Sequence, residues 1–263
     1  MSESCALTPD IQAIYAARPK NCSQAEWRAR VNLAACYRLA ARQGWDDIIY
    51  THISLRLPGR DDVFLINPFG LRFDEICASN LLLIDLQGKV VDGTDRRANP
   101  SGFAIHGAVH RARKDAHCVI HLHTDATIAV SALQCGLLPL SQHAMRFWND
   151  IAYHDYAGLA FSRQEQEQLV LELGSHPAML LRNHGSLTCG RTVAEAYILM
   201  DTLERACRIQ LSAMSTGAEL HVPAPDVLAQ THRQLLPGSQ PEGLLEWPAL
   251  LRRLQQSDPD FCL

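Results

Sequence analysis

The stretch Cys118-Val119-Ile120-His121-Leu122-His123-Thr124 sets two imidazoles one residue apart at the end of a β-forming run. Residues i and i+2 of a strand project from the same face, so His121 and His123 point together while Leu122 points to the opposite, buried side. Two imidazoles on one face can share a divalent ion through ring nitrogens at ~2.0–2.1 Å. A third closes another apolar run, AMLLRNHG, where Gly185 after His184 permits a tight turn. Three neutral imidazoles suit zinc and leave one coordination position for substrate or water. A lone strand-end histidine is more often a hydrogen-bonded surface residue. The combination of HxH with a strand-terminal RNHG is what points to a metal site.

These residues need strands to carry them and helices to bury the strands. Ser23-Gln24-Ala25-Glu26 has the spacing of a capping box and opens a helix that stops near Gly44. The runs IIYTHISLRLPG and VFLINPFG read as strands, and LLLIDLQGKVVDG as a hairpin turning at Gln87-Gly88. A helix over about 103–113 precedes the CVIHLH strand, and Thr124 or Asp125 caps a helix running to Leu133. Residues 135–160 read as a loop with short strands, followed by a helix over about 163–173. AMLLRNHG and SLTC are further strands, and Thr192-Val193-Ala194-Glu195 is a second capping box that opens a long helix to about Ser215. The first 20 residues suggest a short helix or a loose arm, and the Pro-rich tail after 220 suggests one helix near 243–255. Helices alternate with strands without a linker or a repeat. That argues for one α/β domain with a central, mostly antiparallel or mixed sheet.

Composition excludes several partners. The 263 residues are 47% hydrophobic and 20% charged with a net charge of −4, and the sequence pI is about 6.3. No basic cluster suggests nucleic acid. No apolar run reaches the length of a membrane span. The opening MSESCALTPDIQ lacks the basic and apolar regions of a signal peptide, so a cytoplasmic location is expected. The nine cysteines are scattered, odd in number and free of CxxC, which fits reduced thiols acting as small core residues.

The ordered pieces THISLRLPG, INPFGLRFDEI with LLLIDLQGKVVDG, NPSGFAIHGAVHRARKDAHCVIHLHTDATIAVSAL and LLRNHGSLTCGRTVAEAY resemble the class II aldolase/adducin family. That family includes fuculose-phosphate aldolase and ribulose-phosphate epimerase. The resemblance covers about residues 24–215. It implies a three-layer αβα sandwich spanning 1–263 as a single domain, with 216–263 as a C-terminal extension. It also implies a zinc-type divalent ion on His121, His123 and His184, and assembly as a homotetramer.

Two departures bear on activity. The family's enzymes carry a glutamate that moves a proton beside the metal. Counted back from His106, that position is Gly102, and the neighbouring Ser101 and Phe103 offer no carboxylate. The phosphate-site motif is replaced by Thr51-His52-Ile53-Ser54, and Phe69 precedes Gly70 where a small hydroxyl residue is usual. Both departures resemble the adducin-like branch. The resemblance makes His52, Ser54, Gly70, Ser101 and Gly102 the candidates to contact substrate. A carboxylate or an uncharged hydroxy or keto compound fits them better than a phosphosugar. With no acid at Gly102, the proton must be moved by another group, and His106, Tyr153 and His154 are the candidates, with His52 and His143 behind them. One expectation is a metal-dependent lyase that cleaves, epimerises or decarboxylates through a metal-stabilised enolate. The competing one is a non-catalytic adducin-like module for oligomerisation or protein contacts, keeping a vestigial metal site.

Overall fold

The computed structural model describes residues 9–158 and 162–263. In chain order the helices are α1 (Pro9–Ile14), α2 (Gln24–Arg42), α3 (Pro100–Ala112), α4 (Asp125–Ser131), α5 (Gln142–Met145), α6 (Arg163–Leu173), α7 (Val193–Met214), α8 (Pro225–Leu235) and α9 (Glu246–Ser257). The strands are β1 (His52–Arg56), β2 (Val63–Ile66), β3 (Leu82–Asp85), β4 (Cys118–Leu122), β5 (Ala152–His154), β6 (Ala178–Leu181) and β7 (Gly185–Gly190). The fold is mixed α/β. Its described residues fall into two compact units, one holding those up to Asn99 together with Gly243–Leu263, the other those within Pro100–Glu242.

In the first unit β1, β2 and β3 form an antiparallel meander with Leu55 opposite Leu65 and Phe64 opposite Ile84. Ser23 caps α2 as expected, its hydroxyl accepting from the Glu26 N–H at 3.1 Å, but the Glu26 carboxylate takes the Arg30 Nε–H at 2.8 Å, so only the Ser23 half of the capping box is seen. The helix stops before Gly44, whose φ of 69° is cheap only for glycine. The Tyr37 hydroxyl of α2 accepts from the Ile53 N–H at 2.8 Å and ties the helix to β1. Arg38 reaches the C-terminal segment, bonding Asp258 at 2.8 Å and the Ile76 carbonyl at 2.7 Å. Leu251, Leu254 and Phe261 complete the core of this unit.

The second unit carries the histidines. Its strand order is β4-β7-β6-β5, antiparallel except for the parallel pair β5 and β6. Alternate residues serve two helical layers. Val119, Ala152, Met179, Leu181 and Leu187 pack with Ile105 and Val109 of α3 and Leu169 and Leu173 of α6. Ala178 and Leu180 face the other way, onto Val130 of α4 and Leu199, Leu203 and Cys207 of α7. Strands buried on both faces read as continuous apolar runs, which is why CVIHL and AMLL show no alternation in the sequence.

Three local expectations are revised. The return arm of the 81–93 hairpin makes one bridge, Ile84 to Val90, and no strand. There two backbone bonds remain, from the Val91 N–H to the Leu83 carbonyl and from the Asp85 N–H to the Lys89 carbonyl, while the Asp92 carboxylate takes the Leu83 N–H and the Asp85 carboxylate takes those of Gln87 and Lys89, so side chains supplement a ladder too short to make a strand. Residues 135–160 include the short helix α5 besides β5. The Pro-rich tail holds a further helix, α8, started by Pro225 at a first-turn position where its missing N–H costs nothing.

Candidate metal centre

His121 is the fourth residue of β4, and its Nδ1 lies 3.0 Å from the Ser186 carbonyl of the neighbouring β7. That carbonyl can only accept, so it fixes Nδ1 as the protonated nitrogen and leaves Nε2 with a lone pair. His123 lies just beyond the strand end on the same face, with its Nε2 3.1 Å from the Nε2 of His121. Imidazole ligands of a tetrahedral zinc, at ~2.0–2.1 Å from the ion, stand ~3.4 Å from one another, so this spacing suits two ligands of one cation.

The third ring comes from the turn between β6 and β7. Arg182-Asn183-His184 is a three-residue connection in which Asn183 has φ 58°, a left-handed conformation that asparagine tolerates. The Asn183 N–H is held by the Ser131 hydroxyl at 3.0 Å, and the His184 N–H by the Leu181 carbonyl at 3.0 Å. His184 thus belongs to the turn and does not close β6. Gly185 is required here, because a Cβ at that position would stand 2.4 Å from the Leu122 carbonyl oxygen. The His184 ring centroid lies 4.9 Å from those of both His121 and His123, which are themselves 4.8 Å apart. One ligating nitrogen from each ring falls within a 4.8 Å span. Burial, and then the charges of His123 and His154, push the His184 pKa down to about 4, so the ring is neutral and its lone pairs are available. A divalent ion therefore fits the donors that are present.

The proton-transfer candidates fall in different places. His106, on α3, is fully buried with its ring centroid 6.5 Å from that of His121. Its pKa is held well below the ordinary histidine value by burial, then by His121 and His110, so it is a neutral neighbour. Tyr153 and His154 are adjacent on β5 and therefore face opposite sides. Tyr153 packs on the α4 and α7 layer, and its hydroxyl accepts from the Leu137 N–H at 2.9 Å. His154 faces the α3 and α6 layer, the side of His121. Its Nδ1 lies 2.6 Å from Oε2 of Glu172 on α6. Burial raises the Glu172 carboxyl, but hydrogen bonds from Gln168 and His154 outweigh it and leave the pKa lowered, so this group is a carboxylate. His154 and His184 line one small cavity together with Asp155, Tyr156 and Arg182.

The candidate substrate contacts are less uniform. His52 and Ser54 are buried on β1 of the first unit. Gly70 follows in an exposed turn with φ 102°. The N–H of Phe69 donates to the Arg97 carbonyl at 2.8 Å, so it is not offered to an anion. Ser101 and Gly102 lie in the first turn of α3, and their side-chain surroundings fall outside the described residues. Sequence reasoning missed two members of the second unit's site, the Ser186 carbonyl and Glu172. The carbonyl has no side-chain signature. Glu172 sits in a polar helical run that gives no sign of which glutamate turns inward.

Comparison with known proteins follows the same outline. The family model described as "Class II Aldolase and Adducin N-terminal domain" matches residues 31–211. An aldolase II superfamily protein from Pseudomonas syringae superposes with a TM-score of 0.89 at 48% identity, over 92% of this chain and 98% of that one. L-fuculose 1-phosphate aldolase from Glaciozyma antarctica PI12 superposes with a TM-score of 0.79 at 26% identity, over 94% of this chain and 98% of that one. Alpha-adducin of Mus musculus is 43% identical over 191 residues, which are 72% of this chain and 26% of that much longer protein.

Proposed function

As the chain belongs to the class II aldolase and adducin family, we propose that it is a divalent-metal-dependent carbon–carbon lyase of the aldolase, decarboxylase or epimerase type. The single observation that carries this is the three-imidazole cluster, with ring centroids 4.8–4.9 Å apart. His121, His123 and His184 hold the ion through their ring nitrogens. Ser186 orients the first of them, and the short turn 182–184 delivers the third. Zinc is the ion such a donor set favours. When bound, it supplies a Lewis acid that stabilises an enolate. The buried His106 keeps that side of the centre uncharged and dry, which strengthens every interaction with the ion.

The substrate is a small hydroxy or keto compound, or a carboxylate. Phe69 and the engaged N–H at its turn argue against a phosphate there. The resemblance to tetrameric enzymes supports assembly as a homotetramer. Among the described residues no helix is long and apolar enough to cross a membrane, which is compatible with the expected cytoplasmic setting.

A second reading is supported by the 43% identity to alpha-adducin and by the glycine at 102. In it the domain is a non-catalytic interaction module whose metal is structural or lost. Metal analysis separates the two. The parent protein is expected to bind about one zinc per chain, and His121→Ala to bind it at least ~10²-fold more weakly, since removing even a residue that only orients a ligand costs 10–100-fold. With zinc, the parent is expected to turn over a member of a panel of hydroxy- and keto-acids. A parent protein that takes up no divalent ion after reconstitution would exclude the lyase reading.

A further inference from the structure

The lyase reading leaves a chemical gap. Gly102 stands where a carboxylate would move the proton, and three imidazoles whose lone pairs hold a metal cannot take that role. We infer that Glu172 and His154 fill it as a pair: His154 carries the proton, and Glu172 positions it. The inference rests on the lyase reading above and adds the residue pair that reading lacks.

Four observations converge on it. His154 is 8% exposed, so its orientation is set by the protein. Its Nδ1 is anchored on the Glu172 carboxylate at 2.6 Å, and the other oxygen of that carboxylate is held by the Gln168 amide at 2.7 Å. A carboxylate can only accept, so Nδ1 carries a hydrogen, and in the neutral ring Nε2 is the accepting nitrogen. Nε2 has no hydrogen-bond partner among the described residues although it is buried, and a buried acceptor left unmatched is costly. Finally, the ring lines the same cavity as the metal ligand His184. The room there is about 10 Å³, which admits one water or one hydroxyl oxygen. The alternation of β5 turns His154 to the His121 side of the sheet and Tyr153 away from it.

The step balances without a further reactant. In a retro-aldol cleavage the O–H bond of the substrate's β-hydroxyl breaks, and the proton forms an N–H bond at Nε2. The electron pair left on oxygen becomes the carbonyl of the first product as the C–C bond breaks. The C–C pair becomes the enolate of the second product. His154 then returns the proton to the enolate carbon. Glu172 stabilises the imidazolium between the two transfers, touching no reacting atom.

The test combines two readouts on the full-length protein. In ¹⁵N-histidine NMR the parent is expected to show His154 as the Nδ1–H tautomer, with and without zinc, and Glu172→Gln to lose that fixed signature. The second readout is zinc-dependent exchange of the α-hydrogens of hydroxyacetone with D₂O. The parent should exchange, His154→Gln should be slower by ~10²–10⁴-fold, and Glu172→Gln slower by ~10–10²-fold, with zinc affinity unchanged within about twofold in both. Glu172 is partly exposed on α6, so its substitution reports even where His154→Gln fails to fold. Exchange that persists at parental rate in a folded His154→Gln protein, or a tautomer indifferent to Glu172→Gln, overturns the pair while leaving the lyase reading intact. A zinc-loaded parent that exchanges neither hydroxyacetone nor any other hydroxyketone overturns the lyase reading and the proton-transfer role with it.

Discussion

At the scale of single residues, chemistry here is decided by what holds each ring. His121 is suited to act as a ligand because it is held by a backbone carbonyl that can only accept, which places a hydrogen on Nδ1. The same logic applies one shell out. Thr124, next to His123, caps α4 and donates its hydroxyl to the buried Glu204 of α7 at 2.5 Å. Burial raises the Glu204 pKa, with the Thr124 bond opposing it. The folded state therefore holds this proton more tightly than the unfolded chain does. Its contribution favours folding at acid pH and is lost as pH rises through the folded-state pKa. Glu204→Gln is expected to melt close to the parent at pH 4 and above it at pH 7, a gap that differential scanning across that range would read directly. A gap that shrinks with rising pH would contradict the direction of the shift. At this scale the sequence was legible for His121 and His123, whose spacing alone sets them on one face. It was silent on Glu172 and Glu204, because nothing local tells an inward-turned glutamate from a solvated one.

At the scale of elements, two glycines at opposite ends of β7 let the strand sit where it does. A Cβ at Gly185 would stand 2.4 Å from the Leu122 carbonyl, and a Cβ at Gly190 would stand 2.4 Å from the backbone nitrogen of Ala196 in α7. Overpacking of this kind costs ~1–3 kcal/mol, so Gly185→Ala and Gly190→Ala should both unfold at lower urea concentration. Only the first lies beside a candidate metal ligand; the second is five residues along the strand, ~17 Å away. Isothermal titration with zinc is expected to show weakened binding for Gly185→Ala and unchanged binding for Gly190→Ala. Equal losses at the two positions would mean that the turn does not set the third ligand. Helix starts were readable, because Ser23, Thr124 and Thr192 carry their own caps. The short return arm after β3 was not, since it depends on which side chains capture backbone groups locally, and neither was α8, whose start at Ala224 carries no side-chain cap.

At the scale of the whole molecule, each compact unit has its own core, and the chain's last residues belong to the first. Phe261 is fully buried, and Arg38 clamps Asp258 beside it. Phe261→Ala should cost ~3–5 kcal/mol by emptying that site, visible as a lower denaturation midpoint. A loss below about 1 kcal/mol would show the segment to be dispensable. The sequence by itself determined the fold class, the family and the three metal-ligand candidates, because strand periodicity and ordered motifs are written in neighbouring residues. Only the tertiary structure decided that His184 reaches the other two rings from a turn, that Tyr153 faces away while His154 faces in, and that Glu172 stands behind it. Those facts depend on strand order and on which layer each face meets, and contacts between residues 18 to 65 apart leave no periodic trace in the chain.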